Sequence, residues 1–197
     1  MDSISKELKD IFIFLRISGI GPTLPEQITY AKEKKLSYEE FLELILSDEM
    51  ERRVNKALNI KMRKAGVTGL ASYDWNTTTA YDRELVKKLF NSSFIEKHAS
   101  VLVFGPNGVG KTMLARHLAF CAIKHGYSAV FVRADKMFEA LKLSMVDGTH
   151  GRALKYYLKP DLLVIDDFAI KSLTREEADD IYEIIIERHE VKSFVIS

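Results

Sequence analysis

An α/β fold built on a parallel sheet, with helices on both of its faces, is predicted by three features of the sequence. The apolar run from Val101 to Phe104 leads into Gly105-Pro106-Asn107-Gly108-Val109-Gly110-Lys111-Thr112, and a segment of helical apolar period begins at Met113. Further on, Asp161-Leu162-Leu163-Val164-Ile165-Asp166-Asp167 is a buried-strand pattern ending in two carboxylates. Around and beyond them, strand-like and helix-like stretches alternate, which is the signature of parallel strands joined by crossover helices.

The elements follow in order. Ser3 or Ser5 can cap a first helix whose apolar positions Leu8, Ile11, Phe12 and Leu15 share a face, and Gly19-Ile20-Gly21-Pro22 ends it. A second short helix follows Pro25 and fades near Lys35. Ser37-Tyr38-Glu39-Glu40 is a capping box opening a longer helix that runs to about Ala65, with Phe41, Leu42, Ile45, Leu46, Val54 and Leu58 as its apolar stripe. Residues 1–66 thus read as a small all-helical domain, 67–80 as a linker and 81–197 as the sheet domain. In the linker, Trp75 either packs onto the sheet domain or lies against an adenine ring.

Within residues 81–197 an amphipathic helix from Asp82 to Phe90 precedes the first strand, and Gly126 closes the helix after the glycine loop. Tyr127 to Val132 is strand-like, Asp135 to Met145 and Gly151 to Leu158 are helical, and the aspartate strand follows. Thr174-Arg175-Glu176-Glu177 is a second capping box, for a helix reaching about Glu190, and Ser193 to Ser197 is a last strand.

The spacing G-x-x-x-x-G-K-T has a physical reason. Glycines let the backbone curl until several N–H groups point at phosphate oxygens, and the helix that follows adds its positive end. Gly105, Pro106, Asn107, Gly108, Val109, Gly110, Lys111, Thr112 and Met113 are therefore the expected nucleotide-binding residues, with Lys111 a point charge on the β- and γ-phosphates of ATP. Thr112 and Asp166 are the expected Mg²⁺ ligands. Asp167 stands where a carboxylate would polarise the attacking water, so Lys111 and Asp167 are the expected catalytic pair.

Composition narrows the classes. Across 197 residues the apolar share is 47% and the charged share 29%, values of a folded, water-soluble chain, and the formal net charge of +1 announces no polyanionic partner. The single cysteine, Cys121, forms no internal disulfide and suits a reducing compartment. The apolar run Ile11–Ile20 is broken by Arg16 and too short to span a bilayer, and Asp2, Glu7 and Asp10 occupy the region that a signal peptide makes positive, so a cytoplasmic protein is expected. The histidines show no metal-ligand spacing.

Charge along the long helix is polarised, with acids in its first half and Arg52, Arg53, Lys56, Lys61, Arg63 and Lys64 in its second. That order complements the helix dipole of a solvated helix; the same basic face can also meet the phosphates of double-stranded DNA.

With these residues in view, the chain resembles the IstB family of AAA+ ATPases, encoded beside the transposase in bacterial insertion sequences, and more distantly the DnaC helicase loaders. The resemblance covers Ser37–Leu42 with the basic helix behind it, Tyr73-Asp74-Trp75, the glycine loop, Gly126–Phe131, Asp161–Phe168 and Thr174–Asp179. It implies an ATP-dependent, DNA-binding oligomer that stimulates or targets its partner transposase. A helicase loader, and a nucleotide-gated DNA scaffold with negligible hydrolysis, are the rival expectations. The family places ATP between neighbouring protomers, one of which supplies an arginine; Arg175 and Arg188 are candidates by position. Two departures stand out: Asp167 replaces the usual Glu, and the chain stops at Ser197, where the family continues with a sensor strand and helical lid, which reads as truncation.

Overall fold

The computed structural model describes residues 4–68, 70, 73, 82–168 and 172–197. The chain divides into two compact units, residues 1–59 and 60–197. In the first, α1 (Lys6–Phe14), α2 (Leu24–Lys34) and most of α3 (Tyr38–Lys64) are joined by tight connections. Polar caps set the helix starts. Ser5 Oγ accepts from the Leu8 N–H at 3.2 Å. At α3, Ser37 Oγ accepts from the Glu40 N–H at 3.2 Å and Glu40 Oε2 accepts from the Ser37 N–H at 2.6 Å, the reciprocal capping box. Helix α2 takes in Pro25, whose missing N–H goes unused in a first turn.

The core of this unit is Phe12, Ile20, Leu24 and Ile45. The expected α3 stripe divides around it, because residues four apart share a ridge and neighbouring ridges differ in direction by about 100°. Phe41, Ile45 and Glu49 face inward, while Leu42, Leu46 and Val54 are exposed. Glu49 is only 4% exposed. It accepts from Arg52 Nε and Nη2 at 2.8 and 2.7 Å and from Arg53 Nε at 2.7 Å. The Arg52 hydrogen bonds, opposed by burial and reinforced by Arg53, hold its carboxyl at about 2 instead of 4.5. Arg53 also donates to the Arg16 carbonyl.

The second unit carries α4 (Arg83–Phe90), α5 (Ser93–Glu96), β1 (Val101–Leu102), α6 (Lys111–Lys124), β2 (Ala129–Arg133), α7 (Ala134–Val146), α8 (His150–Leu158), β3 (Leu162–Asp166), α9 (Arg175–Arg188) and β4 (Ser193–Ile196). The four strands are all parallel, in the order β1-β4-β3-β2. Alternation along the strands splits the core in two. Val130, Leu163 and Ile165 pack with Met137, Phe138 and Leu141 of α7, Leu154 of α8 and Ile181 and Ile184 of α9. The opposite face, with Leu162, Val164 and Asp166, belongs to α6. The first strand is shorter than its apolar run: Val103 N still donates to the Ile196 carbonyl at 2.8 Å, but Phe104 is already exposed as the chain turns into the loop. The second begins at Ala129, two residues later than expected, because Ser128 caps the Asp161 carboxylate with its N–H and hydroxyl.

Strand β2 is a sheet edge, and the chain just after α3 covers it. Phe131 N donates to the Ala65 carbonyl at 2.6 Å. At Gly66 φ is +77°, and a Cβ would meet the Phe131 carbonyl at 2.5 Å, so only glycine permits the approach. On the far side, Arg188 is 1% exposed and donates to the carbonyls of Tyr157, Leu158, Pro160, Asp161 and Ser193. Burial lowers its pKa to about 10.

Replacing Glu49 with Gln is expected to destabilise the protein by about 1–3 kcal/mol at neutral pH. The folded state holds the Glu49 proton more weakly than the unfolded chain does. Its contribution is therefore complete above about pH 4.5 and is lost as pH falls through about 2. Thermal unfolding followed by circular dichroism across that range should show a shallower acid loss in the variant than in the wild type. Arg188→Met, which strands buried carbonyls, should cost about 3 kcal/mol or more in a urea titration.

Candidate functional site

The loop from Gly105 to Gly110 joins β1 to α6, and its shape depends on backbone angles that L side chains rarely adopt. Gly108 and Gly110 have φ of +80° and +91°, with open space where a Cβ would be. Gly110 forms the N-cap of α6, so that helix directs its unpaired N–H groups into the loop. Lys111 Nζ donates to the Gly105 and Pro106 carbonyls, each at 2.9 Å, which folds the lysine across its own loop.

Parallel register brings the aspartate strand to the same place. Thr112 Oγ1 on α6 donates to Asp166 Oδ1 at 3.0 Å, and the Ser197 hydroxyl after β4 donates to the same oxygen. Asp166 is buried at 1% exposure. The next residue, Asp167, has φ +58°, a left-handed conformation that an aspartate tolerates. Asp167 Oδ2 lies 3.5 Å from Arg133 Nε at the end of β2, an arginine that also pairs with Asp135 at 3.2 Å.

Between loop and strand end lies a cleft of about 420 Å³. Asn107, Gly108, Gly110, Lys111, Thr112, Met113 and Asp167 line it, together with Leu70, Arg116 and His117. Gly105 and Pro106 contribute through their carbonyls to Lys111, and Asp166 stands behind Thr112. The two segments singled out in the sequence therefore meet. Met113, Arg116 and His117 fall at i, i+3 and i+4, so the helical period held the clue to the last two. Leu70 and Ser197 carried no such signal. His117 Nδ1 donates to the Met113 carbonyl at 2.9 Å, and the Tyr73 ring stands edge-on to the imidazole at 4.9 Å between centroids. Arg116 lies over the Phe131 ring at 5.3 Å. Trp75 falls outside the described residues. Cys121, half-buried on α6, has its thiol pKa raised by that burial.

The expected basic face divides. All six are exposed, but Arg52 and Arg53 are also bound to Glu49, whereas Lys56, Lys61, Arg63 and Lys64 are not. Of the two arginines considered for a neighbouring protomer, Arg175 is exposed at the start of α9. Arg188 is withdrawn: its guanidinium is consumed by backbone carbonyls inside the fold. Among the described residues no helix is long and apolar enough to cross a membrane.

A parallel sheet with this loop and this aspartate strand defines a P-loop nucleotide-binding protein of the AAA+ type. Solved structures share the fold. The DnaC helicase loader aligns with a TM-score of 0.56 at 24% identity, over 68% of this chain and 78% of that one. AMPPCP-bound DnaA from Aquifex aeolicus aligns with a TM-score of 0.52 at 24% identity, over 58% of this chain and 36% of that one.

The chain belongs to the family of IstB-like ATP binding proteins, whose pattern matches residues 12–197. It is 32% identical over 188 residues to an IS1162 insertion-sequence protein from Pseudomonas fluorescens that is named for ATP binding, covering 93% of this chain and 81% of that protein. A similarly named insertion-sequence protein from Mycobacterium tuberculosis is 29% identical over 184 residues, covering 92% of this chain and 73% of its own length.

Lys111→Ala is expected to bring ATP binding below detection in titration calorimetry while leaving the far-ultraviolet circular dichroism unchanged. Unaltered affinity would mean that the nucleotide sits elsewhere.

Proposed function

We propose that the protein is an ATP-dependent, DNA-binding ATPase that assembles on duplex DNA and stimulates or targets the transposase of its insertion sequence. The observation that supports this most is the Thr112–Asp166 hydrogen bond, 3.0 Å across the join of loop helix and aspartate strand. The loop N–H groups and Lys111 bind the phosphates, Lys111 exchanging the Gly105 and Pro106 carbonyls for phosphate oxygens. The Thr112 hydroxyl and Asp166 carboxylate, two hard oxygen donors side by side, suit Mg²⁺ and would hold it. Bound there, the ion would neutralise charge on the β- and γ-phosphates. Asp167 orients the attacking water and accepts its proton.

The basic end of α3 suits contact with the DNA backbone without reading sequence. No acidic residue interrupts the chain from Arg52 to Tyr73. Lys56, Lys61, Arg63 and Lys64 carry this role best because Glu49 does not hold them, and Arg52 and Arg53, exposed but bound to Glu49, contribute what it leaves. A second reading, a scaffold gated by nucleotide with negligible turnover, is favoured by the Arg133 contact that draws on Asp167.

Asp167→Asn should lower ATP turnover by about 10²-fold or more with little change in ATP affinity. Turnover measured with and without duplex DNA separates the readings, since an enzyme of this kind is stimulated and a scaffold is not. Reversing the charges of Lys56, Lys61, Arg63 and Lys64 together should weaken duplex binding and flatten its dependence on salt, the log–log slope falling by about 0.9 for each DNA phosphate no longer neutralised. An unchanged slope removes the helix from the interface.

A further inference from the structure

Between α7 and α9 of the second unit runs a groove of about 560 Å³, larger than the nucleotide cleft and sharing none of its described lining residues. From α7 it takes Asp135, Phe138, Glu139, Lys142, Met145 and Val146, which fall on one helical face. That face is about 17 Å long, some three turns. Helix α9 contributes Glu176, Glu177 and Asp180, with Thr174 at its cap.

The lining is apolar at its floor and acidic at its rim. Phe138 is buried, while Met145 and Val146 are 45% and 83% exposed and leave apolar surface in water. Five carboxylates stand against one ammonium, that of Lys142. Asp135 and Glu139 are paired with Arg133 and Lys136, but at exposed sites where water weakens the attraction, and Glu177 closes the α9 capping box. Asp180 is different. It is only 6% exposed, its Oδ1 lies 3.3 Å from His150 Nε2, and among the described residues nothing donates to its Oδ2. Burial raises its pKa, the condition of a carboxylate short of donors. An acid so placed in the wall of an apolar groove is completed by a cation from outside.

These features select the occupant. Nucleic acid is repelled by the carboxylates. A groove of this length between two helices suits an amphipathic helix, whose apolar side chains three and four residues apart enter together. The charge of the rim requires that helix to be basic. We infer that the α7–α9 groove docks a basic amphipathic helix of a partner protein, a Lys or Arg of that helix resting on Asp180 and its apolar side chains on Met145 and Val146 above Phe138. The inference goes beyond the proposed reading, since it needs neither ATP turnover nor DNA.

Fluorescence anisotropy on the full chain tests this with a labelled synthetic peptide of about 14 residues, leucines along one helical face and lysines along the other. It should bind with a Kd below about 100 μM, and a counterpart with glutamates in place of the lysines should not bind. Asp180→Asn and Val146→Lys should each weaken binding by about tenfold. Glu33→Lys, an exposed acid of α2 in the first unit, should leave it unchanged and so exclude general attraction between charges. Should Asp180→Asn fold poorly, Val146→Lys, at a side chain already in water, carries the test. No binding, equal binding of the glutamate peptide, indifference to Val146→Lys, or an equal loss in Glu33→Lys would each overturn the inference. So would self-association of the wild type, seen by sedimentation velocity, that Val146→Lys abolishes, because the groove would then belong to a second copy.

Discussion

The cleft depends on one carboxylate oxygen. Asp166 Oδ1 accepts from Thr112 on the loop helix and from Ser197 beyond β4, so it ties the loop helix and two strand ends together. A buried carboxylate is expensive unless its lone pairs are engaged, and here two hydroxyls engage those of Oδ1. This arrangement requires the parallel register. Arg133 pairs with Asp166 in the ladder and Ile165 with Ile196, which brings the carboxyl ends of β2, β3 and β4 to one rim. Once that register is set, Asp167 and Arg133 have no choice but to be neighbours.

Much of this was legible beforehand, and the reasons are specific. Gly108 and Gly110 betray the loop because no other residue takes their backbone angles cheaply, and Ser37 and Thr174 betray helix starts because each finds its Glu three residues on. The α9 capping box is closed by Thr174 N donating to Glu177 Oε2 at 2.9 Å and by Glu177 N donating to Thr174 Oγ1 at 3.2 Å. These are local signals, satisfied within a few residues. What escaped is tertiary. Whether the ridge at Leu42 or the ridge at Phe41 turns inward is decided by where α1 and α2 lie, and no count along α3 alone supplies that. Leu70 and Ser197 reach the cleft from distant parts of the chain, and their residue types give no hint of it.

Charged residues proved the least readable. Arg52 and Arg188 look alike in the sequence, each an arginine within an amphipathic helical stretch. One is bound to the buried carboxylate of Glu49 with its own side chain partly exposed; the other is sealed inside, donating to five backbone carbonyls where the chain enters β3 and β4. The planar guanidinium suits both tasks, but only the first leaves a face open to another molecule. Glu49 makes the same point from the acid side. It occupies an inward position in a helix because two arginines arrive with it.

The short crossing of Ala65 and Gly66 over β2 has a consequence for solubility. A parallel sheet that ended in a bare outer strand would offer its free amides and carbonyls to any passing chain, the usual start of strand-by-strand aggregation. Here the Phe131 amide is already taken and its carbonyl is overhung by the backbone of Gly66. On that flank the sheet cannot be lengthened by a visiting strand, and contact between molecules there must be made by side chains instead of a shared ladder.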